Sequence, residues 1–475
     1  MANKLYEEND ISAIATAIRA KEGAQAGGTM TVAQMPTRIA NLPEGGVVSV
    51  SSVTINTYSG TTQNMYLKPD GTGGKTDLAV SATVLPANAT IPDLKWESSD
   101  PTKATIVYDE ANNTYKVHAV GAGTVTITAT SVESGENDSF TVVVATPTWA
   151  VIKQFVQAGN ILNLMDVGDI VPTVVDFKKT SSSHTTYNTG VRLVHVLNTA
   201  ERQAKYGLNS QGAIFQYQHA HIQGMAFDVA ETALEATEET AQDGIYYYGW
   251  TSGTTYTPLN LETGATIPYG DYTKVYKSSI NTTSANFNNI RQYGWNNWKY
   301  SMIRQWLNSN AAASSQEWFS PSHVGDGSPN NTVKNYAGWL ADIDQDLAAV
   351  VAQVTISTAA NNVTDGGATY TTTDKFFLPS KQEVYFNPEV ANAEGEAWDY
   401  YKNNVGYTSP NDGNSATRMF ITYPTSNAPY NVVSWWLRSA YRASANNAWC
   451  GYGFGSAGYY GAYNTYYVAP ACVIA

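Results

Sequence analysis

Between Val47 and Val144 the chain alternates apolar and polar residues in short runs, and turn residues separate the runs. Val47 to Val53, Met65 to Leu67, Leu78 to Val84, Lys95-Trp96-Glu97, Tyr115 to Val120, Thr124 to Ala129 and Phe140 to Val144 are each of strand length. A period of two puts successive side chains on opposite faces of a pleated strand, which a helix cannot use as one stripe. Short strands spaced by turns over about 100 residues predict an antiparallel β-sandwich. Trp96 is expected as its core aromatic, and Gly121 and Gly123 permit a tight turn before the strand that starts at Thr124.

The segment before the sandwich has a different period. Asp10 is a candidate N-cap, and Ile11, Ile14, Ala15 and Ile18 form an apolar stripe at helical spacing that Gly27-Gly28 ends. Thr31 and Gln34 stand at capping-box spacing before a second face of Met35, Ile39 and Leu42, closed by Pro43 and Gly45-Gly46. Two such helices bury little core alone, so their stripes are expected to dock on another surface or on copies of themselves. The chain therefore divides into residues 1–45, helical, 46–146, the sandwich, and 147–475, the largest part.

Charge narrows the partners. Lys and Arg number 27 against 40 Asp and Glu, a net charge of −13, which argues against nucleic acid because phosphate binding needs concentrated positive charge. No apolar run approaches the ~20 residues of a membrane span, so no membrane insertion is expected. Residues 1–23 lack an apolar signal core, so a soluble protein not exported by the usual secretory signal is expected. Two cysteines, Cys450 and Cys472, exclude a disulfide framework; their spacing alone leaves open whether they pair.

Residues 147–475 read as α+β. Asp166 to Val171 is a turn into a strand, and Val191 to Leu197 alternates as a strand. Tyr300 to Asn308 presents Met302, Ile303, Trp306 and Leu307 on one helical face, and Ala337 to Val350 is expected as a second helix. Phe376 to Ser380 and Trp435 to Ser439 are buried-strand candidates. The chemistry-bearing residues form weak constellations. His219 and His221 share a face if their segment is a strand, yet only Asp228 is near enough in sequence to add a metal ligand, which favours a structural or surface role. His184, His195 and His323 are isolated, and Glu231, Glu235, Glu238 and Glu239 read as a solvated helix face. Trp295-Asn296-Asn297-Trp298 reads as aromatic packing ahead of the Tyr300 helix. With no G-x-S-x-G, P-loop or H-E-x-x-H motif, no catalytic residue, metal or cofactor is assigned, and the chain is not expected to be an enzyme.

The C-terminus carries the functional signal. From Tyr441 to Ala475 the only charged residue is Arg442, and Cys450 to Tyr467 is a run of Tyr, Gly, Ala, Ser and Asn with single Cys, Phe and Thr residues. Tyr gives a large contact area at low entropic cost, while Gly, Ser and Asn adapt; antibody loops use the same chemistry. All eighteen residues of that run can be reached by randomising the adenines of an Asn codon, AAC or AAT. Such mutagenesis never yields Lys, Glu, Gln, Met or Trp, and those types are absent from the run while Trp435, Trp436 and Trp449 stand just outside it.

Three resemblances sharpen the expectations. Ile14 to Gly23, Thr29 to Val32 and Met35 to Ile39 resemble the N-terminal helical segment of tail and baseplate proteins in phages of gut bacteria. Val84 to Thr90, Leu94 to Pro101 and Val120 to Ala129 resemble the group 2 bacterial immunoglobulin-like domain, which implies a spacer. Trp435 to Ala440, Ala448-Trp449 and Val468 to Ala471 resemble the variable C-termini of proteins diversified by retroelements, and Tyr300 to Asn308 and Asp374 to Ser380 resemble the conserved interior of such domains. Those domains have a C-type-lectin-like fold related to the formylglycine-generating enzyme. No paired active-site cysteines are evident in this chain, which sets it apart from the enzyme members.

The combined expectation is a multidomain chain: a short α-helical N-terminus, an all-β immunoglobulin-like sandwich and an α+β C-type-lectin-like C-terminal domain. The resemblances imply a phage tail-tip or receptor-binding protein in the virion, assembled in the host cytoplasm. Its partners would be a host-cell surface protein or glycan and other virion tail proteins, in a homo-oligomer that a trimer would satisfy. With the variable region at about 441–467, they place Tyr441, Ala443, Ser444, Asn446, Asn447, Cys450, Tyr452, Phe454, Ser456, Tyr459, Tyr460, Tyr463, Asn464, Tyr466 and Tyr467 toward ligand. Ala445, Ala448, Trp449, Gly455, Ala457 and Ala462 are expected as scaffold. A bacterial surface adhesin would share the spacer and display domain, and a formylglycine-generating-type enzyme is the third alternative.

Overall fold

The computed structural model describes residues 47–228, 248–252, 255–258, 290–291, 296–299, 301–314, 336–362, 365–422, 431–444 and 447–475. Both expected N-terminal helices, the acidic cluster from Glu231 to Glu239, Trp295, Tyr300, His323, Ala445 and Asn446 lie outside those residues. The chain divides into two compact units.

The N-terminal sandwich contains β1 (Ser52–Ile55), β2 (Thr62–Tyr66), β3 (Asp77–Val80), β4 (Ala82–Leu85), β5 (Leu94–Ser98), β6 (Ala104–Asp109), β7 (Thr114–Ala119), β8 (Gly123–Ser131) and β9 (Asn137–Ala145). They form sheets in the orders β1-β4, β3-β7-β6 and β2-β9-β8-β5. The period-two reasoning is realised residue by residue. Val125, Ile127 and Ala129 of β8 and Phe140, Val142 and Val144 of β9 are buried while the residues between them are more exposed. Fully burying a side chain such as Phe140 contributes roughly 1.5–3 kcal/mol. Gly123 adopts φ +147°, a left-handed value at the start of β8.

Three expectations change. The run Leu78 to Val84 is two strands, β3 and β4, in different sheets, and the Ser81 carbonyl between them accepts the Asn56 N–H. β6 was not anticipated. Trp96 is half-buried rather than central, because β5 is an edge strand; its ring lies 6.1 Å from Tyr115.

The second unit is mostly β with short helices. α1 (Trp149–Gln157) is capped by the Thr148 hydroxyl, which accepts the Val151 N–H, and buries Trp149, Ile152 and Val156. β10 (Ile170–Lys178), β11 (His184–Leu197), α2 (Ala200–Ala204) and β12 (Gly212–Tyr217) follow. Next come β13 (Tyr248–Ser252), β14 (Thr255–Pro258) and β15 (Ile290–Arg291), a small sheet ordered β14-β13-β15. α3 (Met302–Leu307) buries Met302, Ile303, Trp306 and Leu307 as its period requires, with Ser301 accepting the Arg304 N–H at its start. The single helix expected over 337–350 is two, α4 (Trp339–Asp342) and α5 (Gln345–Val350). Ile343 is extended between them, and the Asp344 carboxylate restarts the chain as a cap by accepting the Asp346 N–H.

β16 (Val351–Ala352), β17 (Val354–Ala359), β18 (Thr369–Asp374), β19 (Phe376–Phe377), α6 (Asp399–Asn404), β20 (Phe420–Ile421), β21 (Val432–Val433), β22 (Trp435–Ala440), β23 (Asn447–Gly451), β24 (Ala457–Gly461) and β25 (Ala471–Ile474) complete the chain. The main sheet runs β10-β11-β12-β25-β16, with β19 also pairing β25. The C-terminal strand thus lies inside the sheet, and every residue of β12 and β25 is buried, as in a strand covered on both faces. Trp298, Trp306, Trp339, Trp398, Trp435 and Trp436 are fully buried around it.

Candidate functional site

The candidate surface is built on the sheet β22-β23-β24. Its base is β22, whose six residues are all buried. Trp435 Nε1 donates to the Arg418 carbonyl at 3.1 Å, and Trp436 Nε1 donates to the Met225 carbonyl at 3.0 Å. The Arg438 guanidinium meets both carboxylate oxygens of Glu383, one of them at 2.9 Å, and also donates to the Leu378 carbonyl at 2.9 Å. The Tyr206 hydroxyl donates to Glu383 at 2.9 Å and accepts from Trp398 Nε1 at 2.8 Å. A buried ion pair needs this density of hydrogen bonds to offset its desolvation.

β23 and β24 lift the aromatic residues to the surface. The Tyr441 and Tyr459 rings stack at 3.9 Å with an interplanar angle of 1°, and Trp449 stands edge-on to them at 5.5 and 5.4 Å. Beneath that group, Lys381 Nζ lies 3.3 Å from the Trp449 ring centroid, a cation–π contact. Burial lowers the Lys381 pKa, and Asp412 opposes the shift from 3.4 Å. Glu389 accepts both Trp449 Nε1 at 3.0 Å and the Arg442 N–H at 2.9 Å. A second set of rings runs from Tyr460 to Tyr466, 5.3 Å apart, and from Tyr466 to Trp436 at 4.9 Å. Burial raises the Tyr452 and Tyr466 pKa values, so both phenols stay neutral hydrogen-bonding groups.

The expected ligand-facing residues fall into three groups. Phe454 (57% exposed), Tyr460 (46%), Tyr459 (43%) and Tyr463 (40%) stand out to solvent, and Ala443 is also exposed. Tyr441, Asn447, Tyr452, Ser456, Asn464, Tyr466 and Tyr467 are half-buried. Ser444 and Cys450 are buried, and this corrects their assignment to the ligand face. Cys450 sits on the middle strand, between Trp436 and Gly458 on its neighbours, and faces the core. Burial pushes its thiol up to about 12, so it is neither a reactive nor a displayed group. Ser444 is turned inward at the loop that Asn296 holds from below. Among the expected scaffold residues Ala448, Trp449, Gly455 and Ala462 are buried, and Ala457 is half-buried. A Cβ on Gly455, at φ +79°, would lie 1.9 Å from the Ser415 carbonyl oxygen, so only glycine fits there.

The histidines lie elsewhere. His221 is enclosed by Phe177, Trp306 and Trp339, with burial holding its pKa at about 3 and Tyr187 at 2.8 Å. His219 is 3.1 Å from Thr189. His195 is buried between Glu396 at 3.2 Å and Asp399 at 3.0 Å, and His184 pairs with Asp176 at 2.7 Å. Among the described residues no group of three or more His, Cys, Asp or Glu is placed to hold a metal ion. Cys450 and Cys472 are both free and buried.

Sequence reasoning did not find four residues that shape this surface: Asn296, Lys381, Glu389 and Arg418. Each lies outside the tyrosine-rich window, and no spacing rule links them to it.

Comparison with known families gives two matches. Residues 73–144 match the bacterial Ig-like domain (group 2). The sandwich is an immunoglobulin-like domain. Residues 271–475 match a domain of unknown function, DUF6273, which takes in α3 and everything after it, including β22, β23 and β24. No curated protein matches the chain.

Proposed function

We propose that the C-terminal domain displays a ligand-binding surface for host-cell attachment, on a phage tail-tip or receptor-binding protein whose immunoglobulin-like domain is a spacer. In this reading the domain is C-type-lectin-like, its C-terminal window is diversified by a retroelement, and the first 45 residues join other virion tail proteins. The partner is a host-cell surface protein or glycan, engaged by many copies on one particle, so that weak single contacts multiply. The domain binds and releases; it does not turn its ligand over.

One observation carries the reading. Phe454, Tyr459, Tyr460 and Tyr463 are exposed large aromatics in a stretch where Arg442 is the only charged residue. Monomeric proteins seldom leave such rings together in water without a partner for them. Their base is rigid: the half-buried Tyr441 is stacked on Tyr459, and Trp449 is pinned by Glu389. Rings already held in place lose little freedom on binding, which suits them as contact hot spots.

Replacing Tyr459, Tyr460 and Tyr463 together with Ser tests the proposal. Truncating a hot-spot aromatic costs about 2 kcal/mol or more of binding. Host-cell attachment of particles carrying the triple variant should be abolished while the melting temperature moves little. Normal attachment by a folded triple variant sinks the reading.

A further inference from the structure

The loop between β22 and β23 is held from below through its main chain. Asn296 is fully buried, and its Nδ2 faces three carbonyl oxygens: Ser444 at 2.7 Å, Asn447 at 2.7 Å and Tyr441 at 3.3 Å. Its Oδ1 accepts from Asn361 Nδ2 at 2.9 Å, which fixes the amide with both protons toward the loop. The two protons serve the two short bonds, and the longer third contact shares one of them. Within the loop the Tyr441 N–H donates to the Asn447 carbonyl and the Ser444 N–H to the Tyr441 carbonyl, both bonds being part of the turn that Asn296 fills. From the other side, Glu389 takes the Arg442 N–H.

The second aromatic loop is held in the same way. Arg418, fully buried against the Phe386 ring at 3.9 Å, donates from Nε to the Gly455 carbonyl at 3.2 Å and from Nη1 to the carbonyls of Tyr385 at 3.1 Å and Asn411 at 2.8 Å. Asn296 and Arg418 lie outside residues 441–467, and their bonds to Tyr441, Ser444, Asn447 and Gly455 end on main-chain atoms that every residue type carries.

We infer that Asn296 is a positioning residue for the recognition surface: it fixes the main chain at Tyr441, Ser444 and Asn447 whatever side chains those positions bear. Arg418 acts likewise on the loop at Gly455. The inference rests on the reading of this face as a ligand surface, and it adds how the face keeps one shape while its residues change. Removing the amide takes a buried side-chain donor from all three carbonyls and leaves those of Tyr441 and Asn447 with only the main-chain donors of the loop, so the loop opens to water more readily.

Amide hydrogen exchange on the full chain, with no ligand present, tests it. With Asn296 intact, the double variant Tyr441→Ser, Ala443→Tyr should leave the amides of residues 441 and 444 exchanging within about three-fold of the parent. Asn296→Ala should speed those two amides by at least about ten-fold and leave the amides of β22 unchanged. Asn296→Asp, which keeps the shape but loses the donor, should do the same. Unchanged exchange in both Asn296 variants overturns the inference, as does release of the loop by the double variant alone. Global unfolding by both Asn296 variants also overturns it, because the residue would then hold the domain rather than the loop. Cell attachment plays no part in this measurement, so a failure here and a failure of the triple tyrosine experiment are told apart.

Discussion

Arg438→Met removes one half of a pair whose side chains are both fully buried. The methionine fills similar space, but the Glu383 carboxylate loses the guanidinium that contacts both of its oxygens. It keeps the Tyr206 hydroxyl at 2.9 Å and the Ser380 N–H at 2.8 Å, which only partly replace a full positive charge. The Leu378 carbonyl loses its side-chain donor as well. Breaking a buried pair from one side costs about 3–5 kcal/mol, most of it from the stranded charge. For a domain of this size each kcal/mol moves the melting temperature by about 2 °C, so a fall of about 6–10 °C is expected in thermal unfolding followed by near-ultraviolet circular dichroism. Adding Glu383→Gln to Arg438→Met removes the stranded charge, and the double variant should regain about 1–3 kcal/mol of the loss. If Arg438→Met lowers the melting temperature by less than about 2 °C, or if the double variant is worse than the single, the charge is not what the β22 strand depends on.

Cys450→Ser should cost about 1–3 kcal/mol, because it places a hydroxyl in the core without a prepared partner. Its thiol, raised to about 12 by burial, should resist a disulfide reagent in the folded protein and react at once after unfolding. Burial alone would lower the His195 pKa, but Asp399 and Glu396 outweigh it and raise the value. A raised folded value gives stability that is fully present below the unfolded value near 6.5 and is lost as pH rises through the folded value. Melting temperatures of the parent protein and His195→Asn, compared from about pH 6 to pH 9, should therefore converge on the alkaline side; a gap constant with pH would mean that His195 contributes by packing alone.

How much of this was legible in sequence depended on the range over which each signal acts. The period-two burial of Val125, Ile127 and Ala129 and the helical face of Met302, Ile303, Trp306 and Leu307 follow from local geometry, and both were readable. The break at Ile343 was not legible because apolar spacing continues through it; in the folded chain the Asp344 carboxylate caps the helix that follows. Trp96 misled because residue type says nothing about whether a strand lies at the edge of a sheet. Cys450 misled for a different reason: membership of a codon class describes the gene, not the side of the strand a residue occupies. Asn296 was out of reach altogether, since the carbonyls it holds are 145 to 151 residues away in the chain.

The surface then divides into rings that are held and rings that are free, and the division follows what lies beneath each. Trp449 is fixed by Lys381 against its face and Glu389 on its nitrogen, and Tyr441 and Tyr459 are ordered by stacking beside it. Phe454 is the most exposed of the large rings, at 57%, with a contact only to the half-buried Tyr452 among the described aromatic pairs. On the proposed reading, a chain that changes its contact residues without refolding needs its fixed points outside them. Lys381, Glu389, Asn296 and Arg418 meet that requirement, because all four lie outside residues 441–467 and act there on main-chain groups or on Trp449, an expected scaffold residue. Composition revealed the free rings; only the folded chain reveals the four side chains that hold their loops.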